Sequence, residues 1–175
     1  MGKPNIQILL IPDDDTFPNN KTLSLILIQQ AFNPSTKNLV SAIEKVFHGN
    51  AWGRSWRNGI FTFHHYHSTA HEVLGLYAGW VKAQFGGPNG QIAEAKAGDV
   101  IIIPAGVSHK NLDQSPDFHC VGAYPKGQSP DMQYGKPGES PYTDGNISSV
   151  PLPRTDPVYG KTGPMLEIWE KEFKT

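Results

Sequence analysis

Three histidines and one glutamate lie at spacings that suit the binding of a single metal ion. His65 and His67 are two residues apart in a segment, residues 60–67, whose alternating pattern predicts a β-strand. Both imidazoles then leave the same face of that strand, about 7 Å apart at the backbone. Glu72 opens the next predicted strand after a short turn, and His109 comes from a later hairpin. Three imidazoles and one carboxylate suit Fe(II), Mn(II), Ni(II) or Zn(II).

Four residues near this cluster are candidates for catalysis or substrate binding. Glu72 can stay bound to the metal or act as a base, and Tyr124, in a predicted strand, is a second acid/base candidate. Arg54 and Arg57 precede the histidine strand in a tryptophan-rich loop, where they are candidates for binding a substrate carboxylate. Surface ion pairing or stacking on the tryptophans explains the two arginines equally well.

Two further residues leave alternatives open. His71 replaces Glu72 as a ligand if the second strand begins one residue early, although alternation otherwise directs it to the opposite face. Cys120 either points toward the metal or packs as a small buried apolar side chain, which is the commoner role of a free cysteine. As the single cysteine of the chain, it forms no internal disulfide, which fits a reducing compartment.

Short apolar runs separated by glycine and proline predict the elements that position these side chains, in an all-β barrel or jelly roll. One amphipathic helix is predicted, with Ser35 or Thr36 as its N-cap, an apolar stripe and Gly49 at its end. That stripe consists of Leu39, Ile43, Val46 and Phe47. Besides residues 60–67, strands are predicted over residues 22–30, 72–77, 80–85, 91–95, 100–103, 108–112 and 118–124.

Residues 125–175 form a predicted tail that is rich in proline and glycine. Its aromatic residues indicate that it wraps on the body of the protein, and its last stretch, residues 164–173, fits a strand or a short helix. The candidate anchors are Tyr134, Tyr142, Tyr159 and Trp169. We therefore expect one domain over residues 1–175, with an N-terminal strand and helix in residues 1–50 and the barrel motifs in residues 58–124.

The spacing of the candidate ligands resembles the two sequence motifs of the cupin superfamily. Gly59, His65, His67, Glu72 and Gly79 match the first motif at every position, and Gly98, Pro104, Gly106 and His109 match the second. Asp113 stands where the second motif usually ends in asparagine, which affects a turn and leaves the candidate ligands intact. Residues 52–79, the stretch PAGVSHKNL and the phrases GAYP and DPVYG further resemble the bacterial YjlB-like cupins along nearly the whole chain.

The resemblance implies a single-domain cupin, a double-stranded β-helix that holds one divalent transition metal (Zn, Fe, Mn or Ni). It is compatible with a metal-dependent enzyme that isomerises, decarboxylates or dioxygenates a small polar or acidic metabolite. A non-catalytic module that binds a sugar or an acid is the alternative, since fold alone does not assign a function.

Composition and charge leave small molecules and a second copy of the chain as the expected binding partners. The net charge of -1 and the lack of a basic run exclude a nucleic-acid footprint, and no stretch is long enough to span a membrane. The N-terminus does not have the pattern of a signal peptide, so a cytoplasmic location is expected. Because a small barrel leaves sheet edges that invite pairing, we expect a homodimer through residues 22–30 or the tail.

Overall fold

A computed structural model describes residues 4–175, and within them the chain folds mainly as antiparallel sheet. One sheet has the order β1-β2-β7-β4-β9-β3, and the other has the order β6-β5-β8. The strands are β1 (Asn5–Leu9), β2 (Leu25–Gln29), β3 (Trp52–Asn58), β4 (Glu72–Ala78), β5 (Trp80–Phe85), β6 (Gln91–Lys96), β7 (Val100–Ile103), β8 (His109–Gln114) and β9 (His119–Pro125). The helices are α1 (Leu39–Gly49), α2 (Tyr142–Ser149) and α3 (Pro164–Phe173).

The central strands of the larger sheet are buried on both faces, as β2 shows. Leu25 and Leu27 belong to a core cluster shared with the smaller sheet, which includes Phe85 of β5. Ile26 and Ile28 belong to a second cluster, on the opposite face, which includes side chains of α1 and α3. A strand covered on both faces is apolar at every position, in agreement with the continuous run of β2. This strand pairs with β1 and β7. It is therefore interior to the sheet, so the part of the dimer expectation that assigned it to an interface loses its basis.

Helix α1 lies against β4 at a point where the strand carries no side chain. A Cβ atom on Gly75 would meet Ile43 at 2.6 Å and Phe47 at 2.9 Å, so only glycine allows this close approach. The prediction that Ser35 or Thr36 caps the helix was wrong, because α1 begins at Leu39. Asn38 occupies the N-cap position in a left-handed conformation and makes no side-chain capping bond.

The tail covers the outer face of the larger sheet through α3. Trp169 is 1% exposed, and its indole Nε1 donates a hydrogen bond to the Ser24 carbonyl at 2.8 Å. Glu172 accepts a hydrogen bond from the Ser24 amide at 2.9 Å. Of the predicted aromatic anchors, Tyr134, Tyr142 and Tyr159 remain largely exposed, so Trp169 anchors the tail.

Two predictions about strands were wrong. Residues 60–67 form no regular strand: His65 pairs with His109 on one side and Tyr66 pairs with Gln133 on the other, each as an isolated bridge. Further backbone hydrogen bonds join Asn111 to Phe61 and Gly106 to His67, but no continuous ladder forms. The tryptophan-rich segment that was taken as a loop is strand β3, whose polar residues and bulge near Arg54 (φ 53°) hide its pattern.

Candidate metal centre

The four predicted ligands lie at adjacent points of the fold. His65 and His67 come from the irregular run beside β8, while Glu72 and His109 are the first residues of β4 and β8. The nitrogen atoms that the three imidazoles offer lie within 4.8 Å of one another. Glu72 Oε2 lies 3.4 Å from His67 Nε2 and 3.2 Å from His109 Nε2. All four side chains are buried, so the cluster is shielded from bulk water.

Backbone carbonyls determine which nitrogen of each imidazole carries the proton. His65 Nδ1 lies 3.0 Å from the Phe63 carbonyl, His67 Nδ1 lies 2.5 Å from the Asp131 carbonyl, and His109 Nδ1 lies 3.1 Å from the Val107 carbonyl. A carbonyl oxygen can only accept, so each Nδ1 must carry the hydrogen and donate it. In the neutral imidazole, Nε2 then carries a lone pair that is free to bind a metal. A hydrogen bond from the other ring nitrogen to a carbonyl is the contact that orients a metal-binding histidine.

The Glu72 carboxylate lacks the partner that a buried anion requires. Among the described residues, Oε2 has no hydrogen-bond partner, although two imidazole nitrogens are close to it. Burial alone raises the pKa of Glu72, but His67 and His109 outweigh burial and hold the pKa well below its usual range. A buried carboxylate that stays ionised needs a cation nearby. The donor set therefore fits a divalent transition metal.

The imidazoles differ in their readiness to take up a proton. Burial lowers the pKa of His65 to about 3, with the neighbouring His109 acting in the same direction, so His65 stays neutral at neutral pH. Burial also lowers the pKa of His67, but the Glu72 carboxylate and the hydrogen bonds of the ring outweigh it, and the net direction is upward. In the metal-free protein, His67 is therefore a place where a proton competes with a metal.

We expect metal affinity to fall as the pH decreases, beginning above the ordinary histidine pKa of about 6.5. The direction of this pH dependence follows from His67. Its raised pKa keeps the proton bound at higher pH, and the metal must displace that proton. One displaced proton corresponds to a loss of about tenfold per pH unit below that pKa. His65 adds nothing above its own pKa of about 3. Equilibrium metal titrations between pH 8 and pH 5.5 measure the slope, and an affinity that does not change over this interval contradicts histidine ligation.

A network from the tail holds His67, and the sequence carried no signal for it. The Asp131 carboxylate accepts hydrogen bonds from the Ser68 amide at 2.6 Å, from the Ser68 hydroxyl, and from Gln133 Nε2 at 2.9 Å. The backbone carbonyl of the same residue accepts the Nδ1 proton of His67. The tail thus positions one of the candidate ligands from 64 residues away along the chain.

A cavity of about 310 Å³ opens onto the four side chains. Its walls are mainly apolar and aromatic, and Tyr124 contributes a phenol. The Tyr124 hydroxyl accepts a hydrogen bond from Trp56 Nε1 at 2.8 Å. Burial and the nearby Glu72 carboxylate raise the pKa of Tyr124, so its hydroxyl keeps its proton at neutral pH. Tyr124 thus provides a proton-bearing group at the cavity wall.

The two arginines that were candidates for substrate binding are occupied elsewhere. Arg57 Nε and Nη2 donate to the two carboxylate oxygens of Glu44, on α1, at 2.6 and 2.7 Å. Arg54 donates to the Ser129 hydroxyl and lines a different, shallower pocket. The Arg57 guanidinium is therefore paired with a carboxylate, and Arg54 is not among the described residues that line the cavity beside the four ligands. The alternative of surface ion pairing describes the contact of Arg57.

His71 and Cys120 also lie outside the cluster. The Ala105 amide donates to His71 Nδ1 at 2.9 Å, and the His71 ring packs on Trp169 with 4.8 Å between ring centroids. His71 immediately precedes β4 and its ring points toward the tail, whereas Glu72, the next residue, lies near His67 and His109. Cys120 is buried in the core between the sheets, and burial raises the pKa of its thiol. It packs as an apolar side chain and does not line the cavity.

Two antiparallel sheets packed face to face, with three histidines and a glutamate at their open end, define a cupin. A scan of family models found no match. The chain is 41% identical to the uncharacterized protein YjlB of Bacillus subtilis over 165 residues, which cover 94% of this chain and 97% of that protein. The chain therefore belongs to the YjlB-like family of cupins.

Solved structures resemble the chain more distantly. Acireductone dioxygenase from Bacillus anthracis, with a cadmium ion in its active centre, is 16% identical; the match covers 57% of this chain and 72% of that one, with a TM-score of 0.38. The 3,5-epimerase RmlC from Legionella pneumophila is also 16% identical, with 70% and 72% covered and a TM-score of 0.38. At these TM-scores, nothing about the activity of the chain follows. Within residues 4–175, no helix is long and apolar enough to cross a membrane.

Proposed function

We propose that this cupin is a metal-dependent enzyme that acts on a small acidic molecule. His65, His67, Glu72 and His109 hold one divalent transition metal, namely Fe, Mn, Ni or Zn. One observation carries the proposal: three imidazole nitrogens, oriented by carbonyls at Nδ1, lie within 4.8 Å of one another, and those of His67 and His109 lie 3.4 and 3.2 Å from a buried carboxylate oxygen that has no hydrogen-bond partner among the described residues. A bound metal supplies a Lewis acid for an oxygen of the substrate.

The residues of the chain account for the other requirements of such a site. Buried side chains around the cluster exclude water, which strengthens electrostatic interactions with a bound anion. Tyr124 lines the cavity and keeps its proton at neutral pH, so its hydroxyl is the candidate donor to an oxygen of the substrate. Glu72 can remain a ligand or accept a proton. This pairing of a phenol and a carboxylate near one centre is the basis for proposing a reaction.

Metal analysis of protein purified without added metal tests the site, and a screen of hydroxy acids, keto acids and enediols on that protein tests the reaction. In the variant Tyr124→Phe, we expect the same metal content and a turnover that is about 10²–10⁴ lower, the range for a group that transfers a proton. Unchanged turnover in Tyr124→Phe removes this residue from the reaction. Failure of the protein to bind any of the four metals contradicts the proposal as a whole.

A non-catalytic binding module is a second candidate, because the cavity walls are otherwise mainly apolar. Apart from the four cluster residues, Tyr124 and the occupied Arg57, the described residues that line the cavity carry no ionisable side chain. A binding module predicts that compounds bind in the presence of metal without conversion. It also predicts that Tyr124→Phe changes the affinity alone, which separates it from the enzyme.

We propose further that two copies of the chain associate through β1. This strand lies at an edge of the larger sheet, and Ile8, together with Leu10 just beyond its end, exposes about half of its side chain. We expect light scattering to give twice the chain mass of 19.2 kDa, and the double variant Ile8→Lys, Leu10→Lys to give 19.2 kDa. Ile92→Lys, which is equally exposed on β6, serves as the control and should leave the mass unchanged. A mass of 19.2 kDa for the unmodified chain at every concentration refutes the dimer.

The predicted cytoplasmic location stays a prediction.

A further inference from the structure

Three aromatic side chains form an exposed rim next to the cavity. Phe61, Phe63 and Tyr134, here called the aromatic rim, are 47%, 44% and 44% exposed. The rings of Phe61 and Phe63 stack with 4.9 Å between centroids, and Tyr134 lies 5.9 Å from Phe63. Contiguous exposed aromatic surface on a folded protein marks a place where something apolar binds.

The rim is continuous with the candidate metal centre. The Phe61 ring contacts His65 edge to face at 5.2 Å between centroids, and the Phe63 ring lies 5.6 Å from the same histidine. Phe61 also lines the cavity, together with Met132 from the tail. A molecule that occupies the cavity therefore lies against Phe61, and the other two rings of the rim extend outward from it.

The inner walls continue the apolar character of the rim. Ile60, Leu74 and Trp56 line the cavity together with Phe61 and the cluster. Apart from the histidines, Arg57 is the single cationic side chain among the described residues that line it, and it pairs with the Glu44 carboxylate through Nε and Nη2. Apart from the histidines, the cavity thus offers a phosphate or a second carboxylate no cationic side chain that lacks a carboxylate partner. Its volume of about 310 Å³ is at the lower end of the roughly 300–1,000 Å³ typical of small-molecule sites.

We infer that the substrate carries one two-oxygen head group that binds the metal and a planar aromatic body that packs along Phe61 and the apolar wall. Aryl hydroxy acids and aryl keto acids have this chemistry, whereas phosphorylated sugars and nucleotides do not. The inference rests on the proposed function, because the metal supplies the site for the head group. It adds the part of the substrate that the four ligands cannot specify.

Mandelate and glycolate share the same hydroxy acid head and differ by one phenyl ring, so their comparison tests the inference. The protein is first titrated with Mn(II) alone, and the loaded protein is then titrated with each acid by calorimetry. Burial of a phenyl ring corresponds to about ten- to hundredfold in affinity, so we expect mandelate to bind at least about tenfold more tightly than glycolate. Phosphoglycolate should bind no more tightly than glycolate.

The variant Phe61→Ala locates the preference at the rim. We expect it to reduce the mandelate preference, measured as the ratio of the mandelate and glycolate affinities on the same Mn(II)-loaded variant, at least threefold, on the order of a partial loss of ring contacts. Phe173→Ala removes an equally large ring that is 62% exposed at the end of α3, and should change none of these affinities.

The outcomes separate the two proposals. Equal affinities of mandelate and glycolate on Mn(II)-loaded protein overturn the inference but do not contradict the metal site. An equal effect of Phe61→Ala and Phe173→Ala on the mandelate preference has the same consequence. A mass by light scattering that falls in Phe61→Ala also overturns it, because the rim then contacts a second copy of the chain. Absence of Mn(II) binding, or acid binding that does not depend on Mn(II), overturns the proposed function and the inference with it.

Discussion

Replacing His65 with alanine is expected to lower the affinity for a divalent transition metal by more than about 100-fold. The loss exceeds the 10–100-fold that mutation of an outer-layer partner typically causes, because this variant removes a nitrogen that faces the metal. His65 is suited to ligation, since its Nδ1 hydrogen goes to the Phe63 carbonyl and its low pKa of about 3 keeps it neutral. Competition titrations with a chromophoric chelator measure the affinity.

His64 is the matched control for this experiment, because it is the adjacent histidine and lies outside the cluster. Its Nδ1 lies 3.4 Å from the Ser108 hydroxyl, and its ring packs on Phe17. We expect His64→Ala to leave the metal affinity within about twofold of the original, as independent sites do. Equal losses in the two variants show that the effect comes from general destabilisation and contradict the assignment of His65.

Replacing Trp169 with alanine is expected to destabilise the protein by about 3–5 kcal/mol, the range for large buried aromatic residues. The indole of this α3 residue belongs to the core cluster that also contains side chains of α1 and the larger sheet, packs on the His71 ring and donates to the Ser24 carbonyl. Its removal leaves a cavity and an unpaired carbonyl at the contact between tail and sheet. Urea unfolding followed by circular dichroism measures the change in free energy.

Phe173, four residues further along α3, provides the comparison. It is exposed, so Phe173→Ala should change the free energy of unfolding by no more than about 0.5 kcal/mol. A small effect of Trp169→Ala, comparable with that of Phe173→Ala, means that the tail contributes little to folding. The same result rules out α3 as an essential cover of the larger sheet.

The sequence predicted the candidate ligands because their geometry depends on local periodicity. Side chains two residues apart in an extended run leave the same face, so His65 and His67 lie together even though the run pairs by single bridges. Glu72 and His109 open strands whose starts are marked by turns. The same rule directs His71 away from the cluster and toward Trp169.

Sequence analysis predicted less of the structure where the interacting residues are far apart in the chain. Strand β3 escaped detection because a bulge interrupts its alternation, and β1 pairs only with β2 at the sheet edge. The pairing of Arg57 with Glu44 could not be anticipated either, since it depends on where α1 lies against the larger sheet.

The sequence by itself determined the identity and spacing of the four candidate ligands and the motif that marks a cupin. Only the tertiary structure decided their environment: the Asp131 carbonyl that orients His67, the Glu44 carboxylate that occupies Arg57, and the rim that Phe61 forms with Tyr134 of the tail. The physical reason is that the direction of a ligand side chain follows from the alternation of side chains along a few residues of extended backbone. Hydrogen-bond partners and cavity walls, in contrast, come from segments that folding brings together from far apart in the chain.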